Sequence, residues 1–194
     1  MDSEPFKLLS SSVVWSCPWY SVRRDDLVLP NGRHGAYFVV QKEPAVWVIP
    51  LLAPAAGAPD RLALIRNYRH TVKDWCWEIP AGSVKPGQSL EAAAREELRQ
   101  EVGGTAVALE YLGRSYIANG ICNEVGHFYL ATGVTLARPQ HEAAEVMEVH
   151  VLPVAEALRM LRAGEIHDAP SALALHMVAD RLEASAGMGA KEQT

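Results

Sequence analysis

The chain reads EIPAGSVKPGQSLEAAAREELRQEVGG from Glu78 to Gly104, a loop marked by proline and glycine followed by an alanine-rich segment. The segment predicts a helix at Leu90–Val102, because alanine, leucine and glutamate are good helix formers. Ser89 suits the N-cap, since its hydroxyl can accept a backbone N–H of the first turn. Gly103 can adopt the left-handed conformation that ends many helices. We therefore expect one helix with defined ends directly after a loop.

Two glutamates stand on one face of this predicted helix. Glu97 and Glu101 are four residues apart, which places their side chains side by side. Two like charges in that position repel each other unless a cation lies between them. Mg²⁺ takes hard oxygen ligands and is usually held by one or two carboxylates together with substrate phosphates. The pair therefore indicates a magnesium site, and the alternative interpretation is a solvated acidic helix face.

The loop and helix together resemble the Nudix box, the signature of Nudix pyrophosphohydrolases. That signature has Gly, five residues, Glu, seven residues, and then Arg-Glu-apolar-x-Glu-Glu-x-Gly-apolar. In the register that starts at Gly82, the chain keeps this glycine, Glu97, Leu98, Glu101 and Gly103. It departs from the signature at Gln88, Glu96, Gln100 and Gly104. The box is degenerate, but both carboxylates that the family uses as metal ligands are present.

The sequence on both sides of the box resembles the ADP-ribose pyrophosphatase branch of this family. The chain carries LIRNYRH at Leu64–His70 and WCWEIPAG at Trp75–Gly82, which look like the lead-in of that branch. Gly120, Asn123 and the segment from Glu142 to Ile166 are similar to its later parts. The resemblance covers nearly the whole chain. It implies an α+β fold, a Nudix-type α/β/α sandwich with a mixed sheet and an N-terminal β segment.

The pattern of the remaining sequence agrees with an α+β chain, because strands come first and two helices come last. Helices are predicted at Val154–Arg162 and Ser171–Ala184, and residues 1–11 are expected to be a loose end. Strands are predicted where β-branched and aromatic residues concentrate: Trp19–Val22, Ala36–Val40, Ala45–Ile49, Leu62–Ile65, Tyr111–Ile117, Gly126–Leu130 and Glu148–Leu152.

Three parts of the chain are expected from this organisation. Residues 1–50 form an N-terminal strand segment, residues 51–185 form the Nudix hydrolase domain, and residues 186–194 form a loose C-terminal tail. In the branch that the chain resembles, the N-terminal segment exchanges contacts in a dimer. Exposed strand edges also favour pairing with another subunit. We therefore expect a homodimer.

The resemblance implies further residues around the metal and the attacking water. The Ala81 carbonyl joins Glu97 and Glu101 as a metal ligand. Gln100 can coordinate through its amide oxygen but carries no charge, so any additional metal binds more weakly. The general base of this branch comes from a loop late in the chain, where Glu145 is the first candidate and Glu142 the second. Solvated loop charges are the alternative interpretation of these two acids.

The resemblance also implies residues that contact the substrate. Arg69 matches a phosphate-binding arginine, and a guanidinium presents a planar fork that suits phosphate oxygens. Glu124 stands where ribose hydroxyls are accepted, unless it is an ordinary hairpin charge. Tyr20, beside Trp19, offers an aromatic face that can stack on adenine, although packing in a strand is the commoner role of such a residue.

Composition bounds the partners of this chain of 194 residues. Its net charge of −5 argues against a nucleic-acid footprint, which needs a basic patch. Cys17, Cys76 and Cys122 lie far apart and have no metal-type spacing, as expected for reduced thiols in the cytoplasm. The start MDSEP does not look like a signal peptide, and no apolar run is long enough for a membrane helix. We expect a cytoplasmic protein that contacts neither nucleic acid nor membrane.

The family resemblance implies Mg²⁺-dependent hydrolysis of the pyrophosphate bond of a nucleoside diphosphate sugar, with Mn²⁺ as a second candidate cofactor. ADP-ribose is the first candidate substrate, and its products are AMP and ribose 5-phosphate. One alternative is another nucleotide sugar such as GDP-mannose. A second alternative is a non-catalytic Nudix domain that binds nucleotide, which the departures at Gln88, Glu96 and Gln100 keep open.

Overall fold

The computed structural model describes residues 4–55, 58, 60–141 and 146–189. The chain divides into two compact units. The first unit combines Met1–Pro44 with Ser115–Val125, and the second combines Ala45–Arg114 with Gly126–Thr194.

The first unit is built on a three-stranded antiparallel sheet in the order β1-β2-β3. The strands are β1 at Lys7–Ser16, β2 at Ser21–Val28 and β3 at His34–Gln41. The returning segment of this unit joins β3 through a parallel bridge between Val40 and Cys122. The unit is therefore a meander to which one distant loop is attached.

Strand β1 corrects the prediction that residues 1–11 are a loose end, because the strand begins at Lys7. The sequence KLLSSSVVWS does not alternate apolar and polar residues, since every residue of β1 is exposed and neither face is buried. The register with β2 also shifts between Leu8 and Ser10 and again between Val13 and Trp15. A β-bulge of this kind breaks the period of two on which strand prediction depends.

Strand β2 extends beyond the predicted run, which ended at Val22, because its charged residues pair along the strand. Arg23 contacts Asp25 at 2.9 Å, and Arg24 contacts Asp26 at 2.8 Å. Residues two apart share a face of a strand, so each pair satisfies its own side. Charged residues are poor strand formers by propensity, and local pairing overrides that preference here.

The second unit is built on an eight-stranded mixed sheet in the order β11-β5-β4-β10-β8. Strand β6 pairs with β5, β7 with β4 and β9 with β10. Strands β4 and β10 run parallel, whereas β4 runs antiparallel to β5 and β7. The strands are β4 at Ala45–Leu52, β5 at Arg61–Arg69, β6 at Asp74–Glu78, β7 at Ala81–Ser83, β8 at Gly104–Thr105, β9 at Ala108–Tyr116, β10 at Val125–Leu136 and β11 at Met147–Pro153.

Helices cover both faces of this sheet. Helix α1 lies at Leu90–Val102, α2 at Val154–Arg162 and α3 at Ala169–Gly189. Ile49 and Phe128 belong to the buried cluster that contains α2 and α3, whereas their neighbours in sequence, Val48 and Tyr129, belong to the cluster that contains α1. Successive side chains of a strand point to opposite faces, so the two clusters lie on opposite sides. The predicted α/β/α sandwich with a mixed sheet is confirmed.

The predicted ends of α1 are confirmed. The Ser89 hydroxyl accepts the N–H of Ala92 at 3.1 Å, and Gly103 ends the helix in the left-handed region at φ 67°. The bounds of α2 are also as predicted.

Helix α3 begins two residues before the predicted start, at Ala169, and ends at Gly189, so residues 186–189 are helical rather than part of a loose tail. Asp168 caps it, since its carboxylate accepts the N–H of Ser171 at 3.0 Å. Pro170 fits the first turn, where a missing N–H costs nothing.

Candidate active site

Two carboxylates of α1 lie against the backbone of strand β7. Glu101 is buried, and its Oε2 accepts the N–H of Ala81 at 2.8 Å. A Cβ added to Gly82 would lie 2.2 Å from the carboxyl carbon of Glu97. A larger residue at position 82 would displace the Glu97 carboxylate, so the glycine that opens the box leaves room for that carboxylate against the loop. Ala81, Glu97 and Glu101 are brought together in this way.

The departures from the box form one hydrogen-bonded network around Glu96. The Gln88 amide nitrogen donates to Glu96 Oε2 at 2.7 Å, and the Gln100 amide nitrogen donates to Oε1 at 3.1 Å. Lys85 also donates to Oε1, at 2.7 Å. The hydrogen bonds from Lys85 and Gln88 lower the pKa of Glu96. A carboxylate can only accept, so both amides must turn their nitrogens toward it.

Arg69 stands at the end of β5 and is held by a buried glutamate. Its Nε and Nη2 donate to the two carboxylate oxygens of Glu78 at 2.8 Å and 2.6 Å. Glu78 is 4 % exposed in its side chain, whereas Arg69 is 49 % exposed. The hydrogen bonds from Arg69 to Glu78 raise the pKa of the guanidinium, and the charges of Glu101 and Asp168 add to the effect. Arg69 therefore lies close enough to Glu101 of α1 to feel the charge of its carboxylate.

The start of α3 supports the backbone between Glu78 and Ala81. The hydroxyl of Ser171, which is fully buried, accepts the N–H of Ile79 at 3.1 Å and donates to Asp168 at 2.5 Å. Asn67 adds a hydrogen bond to Glu78 at 3.4 Å. This segment is therefore fixed from both faces of the sheet.

The chain that leads to the predicted base is fastened to the end of α1. His141 Nε2 contacts the backbone carbonyl of Glu101 at 2.8 Å, and the N–H of Gln140 donates to the carbonyl of Gln100 at 2.8 Å. These carbonyls belong to the last turn of the helix, where carbonyls need partners from outside. Glu142 and Glu145 themselves lie outside the described residues.

Tyr20 and Glu124, the other predicted substrate contacts, belong to the first unit. Tyr20 packs against Trp15 with ring centroids 5.3 Å apart. Glu124 is buried and accepts from Lys42 Nζ at 2.6 Å. Tyr20 and Lys42 both line a cleft of about 530 Å³, together with Cys17, Pro18, Trp19, Ser21, Gln41, Glu43, Pro44 and Asn123.

Sequence reasoning missed two polar residues of the candidate site: Glu78, which contacts Arg69, and His141, which contacts the backbone of Glu101. Glu78 had a signal, since a charge at the end of the aromatic run WCW implies a partner inside the protein. His141 had none, because its partner is a backbone carbonyl that no side-chain pattern reveals.

The residues present fit a magnesium ion. Oxygen donors from Glu97, Glu101 and the backbone at Ala81 are the hard ligands that Mg²⁺ prefers. Within residues 4–141 and 146–189, apart from the gaps near residue 57, three or more His, Cys, Asp or Glu side chains are nowhere grouped so as to hold a metal alone.

Comparison with known proteins assigns the family. Residues 41–174 match the NUDIX domain, and residues 6–40 match the nucleoside diphosphate sugar hydrolase N-terminal domain. This chain belongs to the Nudix family. The predicted resemblance to the Nudix family is confirmed.

Named relatives cover most of the chain. An ADP-ribose pyrophosphatase of Mycobacterium tuberculosis is 32 % identical over 92 % of this chain and 86 % of that protein. One of Bacillus subtilis is 27 % identical over 90 % of this chain and 93 % of its own length. A crystal structure of an ADP compounds hydrolase superposes with a TM-score of 0.79 at 23 % identity, over 95 % of this chain and 98 % of the other. That structure shares the fold.

None of the described helices is both long enough and apolar enough to cross a membrane.

Proposed function

We propose that this protein hydrolyses the pyrophosphate bond of a nucleoside diphosphate sugar, with ADP-ribose giving AMP and ribose 5-phosphate. The observation that carries the proposal is the seating of two α1 carboxylates, Glu97 and Glu101, against the backbone of Ala81 and Gly82. The family assignment and the two ADP-ribose pyrophosphatase relatives support the same reaction.

Glu97, Glu101 and the Ala81 carbonyl would hold Mg²⁺, and Gln100 would add an amide oxygen. When bound, the ion supplies charge neutralisation on the phosphates and lowers the pKa of a water. The Gln100 nitrogen is turned toward Glu96, so its oxygen remains available as an acceptor. Mn²⁺, which accepts the same ligands, is a second cofactor for the test.

Arg69 would bind the diphosphate. Its guanidinium uses Nε and one N–H of Nη2 for Glu78. The edge formed by Nη1 and Nη2 can then contact two phosphate oxygens at once. A planar fork that is already oriented loses little freedom when the substrate arrives.

Glu145, with Glu142 as the second candidate, would take the proton from the attacking water. The support is the position of the flanking residues. His141 is fastened to the end of α1, and the Val146 carbonyl accepts the N–H of Tyr68 at the end of β5. The residues that flank the acidic segment, His141 and Val146, therefore lie beside the elements that carry Glu101 and Arg69.

Glu124 and Tyr20 would contact the nucleoside part of the substrate, and the protein would act as a homodimer. Support for the aromatic contact comes from the cleft that Tyr20 and Lys42 line in the first unit. Support for the dimer comes from β1, an edge strand whose residues are all exposed.

The test is a substrate panel with Mg²⁺ and with Mn²⁺. ADP-ribose, GDP-mannose and other nucleoside diphosphate sugars are incubated with the purified chain, and the phosphate released by added phosphatase is measured. Turnover of ADP-ribose above the other sugars supports the proposal. A preference for GDP-mannose would reassign the sugar, and nucleotide binding without turnover of any member would make the protein a non-catalytic Nudix domain.

A further inference from the structure

The carboxylate of Glu78 has no assigned role, although it forms an ion pair with Arg69 at 2.6 Å. It lies at the end of β6 and is 4 % exposed, and both of its oxygens accept from the guanidinium of Arg69. Burying a charge is costly unless it is paired and hydrogen-bonded. Arg69 is about half exposed, and an ion pair with an exposed guanidinium contributes little to stability. Stability alone therefore does not account for burying the charge of Glu78. The arrangement therefore suggests a role in orienting Arg69.

The geometry of the pair leaves a defined part of Arg69 to the solvent. Nε and Nη2 form one edge of the guanidinium, and this edge faces Glu78. The edge made by Nη1 and Nη2 is the one that can fork around two oxygens of a phosphate. Among the described residues, Nη1 has no hydrogen-bond partner. By binding the Nε–Nη2 edge, Glu78 also fixes the direction in which the Nη1–Nη2 edge of Arg69 points.

Glu78 is itself held rigidly by three neighbours. Asn67 donates to its Oε2 at 3.4 Å, and β6 pairs with β5 in the register Ile65 with Glu78. The next residue, Ile79, donates its N–H to the buried hydroxyl of Ser171. Glu78 is therefore better fixed than a loop carboxylate, which is what a positioning group needs.

We propose that Glu78 is a positioning residue that orients Arg69 for end-on binding of the substrate diphosphate before the substrate arrives. This inference rests on the proposed function, because it assumes that Arg69 contacts phosphate. It assigns Glu78 no contact with the substrate. Its consequence is that Arg69 is already ordered in the free protein, and that Glu78 acts only through Arg69.

The kinetic experiment uses Glu78→Gln, Arg69→Ala and the double variant, with ADP-ribose and Mg²⁺. An amide has one acceptor oxygen and an NH2 group that can only donate, so it cannot offer a separate oxygen to each of Nε and Nη2. We expect Glu78→Gln to lower kcat/KM by about 10- to 100-fold, the range for losing hydrogen bonds to a charged group. In the Arg69→Ala background the same change should have almost no further effect. Additive losses would overturn the proposal.

Glu110 and Arg181 supply a matched control. They form an exposed pair that also has two hydrogen bonds, which Nη1 and Nη2 of Arg181 donate to the two oxygens of Glu110 at 2.8 Å and 2.7 Å. Glu110→Gln should leave kcat/KM at the parent value. A loss as large as that of Glu78→Gln would show that breaking any arginine–glutamate pair damages the protein.

A measurement on the unchanged protein covers the case in which Glu78→Gln does not fold. The ¹⁵N relaxation of arginine Nε groups is recorded without ligand. Arg69 should approach the order parameter of rigid backbone, about 0.85, whereas exposed Arg33 should fall below about 0.6. An Arg69 as mobile as Arg33 would overturn the proposal. If the parent protein hydrolyses no nucleotide sugar, the proposed function fails while this measurement still decides whether Arg69 is ordered in the free protein.

Discussion

Single residues explain how a degenerate box can keep an ordered site. Glu96 stands where the family has arginine, and Gln88 and Gln100 stand where it has glutamate. The structure shows these three substitutions bonded to one another, with Lys85 completing the charge balance. The acceptor carboxylate now stands at the arginine position and the donor amides stand at the glutamate positions, and the hydrogen bonds between them are formed. In the proposed metal site, Gln100 offers an uncharged amide oxygen where the family has a carboxylate.

The residue-scale prediction concerns Gln100. The paired variant Gln100→Glu with Glu96→Gln keeps a donor facing an acceptor and adds one carboxylate to the metal side. It should lower the Mg²⁺ concentration for half-maximal activity by roughly tenfold, because a charge-assisted contact is about twice as strong as a neutral one. Glu96→Gln alone is the matched control. Equal Mg²⁺ requirements in the pair and the control would refute a metal-side role for position 100.

At the scale of elements, the sequence predicted the features that depend on residues close together in the chain, such as helix ends. Helix α1 has the predicted bounds because Ser89 and Gly103 cap it, and these residue types act over one turn. Strand β1 was missed because its residues are all exposed and its register contains bulges. The seating of Glu97 and Glu101 on Ala81 and Gly82 followed from the family box, whereas Glu78 and His141 depend on contacts between distant segments, which periodicity does not report.

The element-scale prediction concerns the acidic segment between His141 and β11. If Glu145 is the base, Glu145→Gln should lower kcat by about 10²- to 10⁴-fold and change KM much less, because a general base acts mainly in the transition state. Glu142→Gln is the matched control, and the double variant shows whether one acid substitutes for the other. Values of kcat within a few-fold of the parent in all three variants would place the base elsewhere.

At the scale of the whole molecule, the open question is how the first unit contributes. Its sheet ends in β1, where Leu8, Val13 and Trp15 are exposed large apolar residues. Apolar residues on an unpaired edge favour association with a second copy of the chain. Residues 6–40 match a domain that is named for nucleoside diphosphate sugar hydrolases, so association and activity are expected to be linked.

The corresponding prediction is a homodimer in solution. Light scattering at micromolar concentration should give twice the chain mass of 21.2 kDa. Val13→Asp should give a monomer with reduced activity, since it places a charge on the exposed edge without disturbing a buried core. Val107→Asp, at an exposed position of the second unit, is the control and should stay dimeric. A monomeric parent protein with full activity would refute the dimer.

Glu97 and Glu101 are proposed to hold the metal for pyrophosphate hydrolysis. A ³¹P NMR time course of ADP-ribose with Mg²⁺ tests this role, for the parent and for Glu97→Gln and Glu101→Gln. We expect AMP and ribose 5-phosphate from the parent, and turnover lower by orders of magnitude in both variants, with thermal unfolding showing that they remain folded. Parent-like production of AMP in both variants, or no cleavage by the parent, would contradict it.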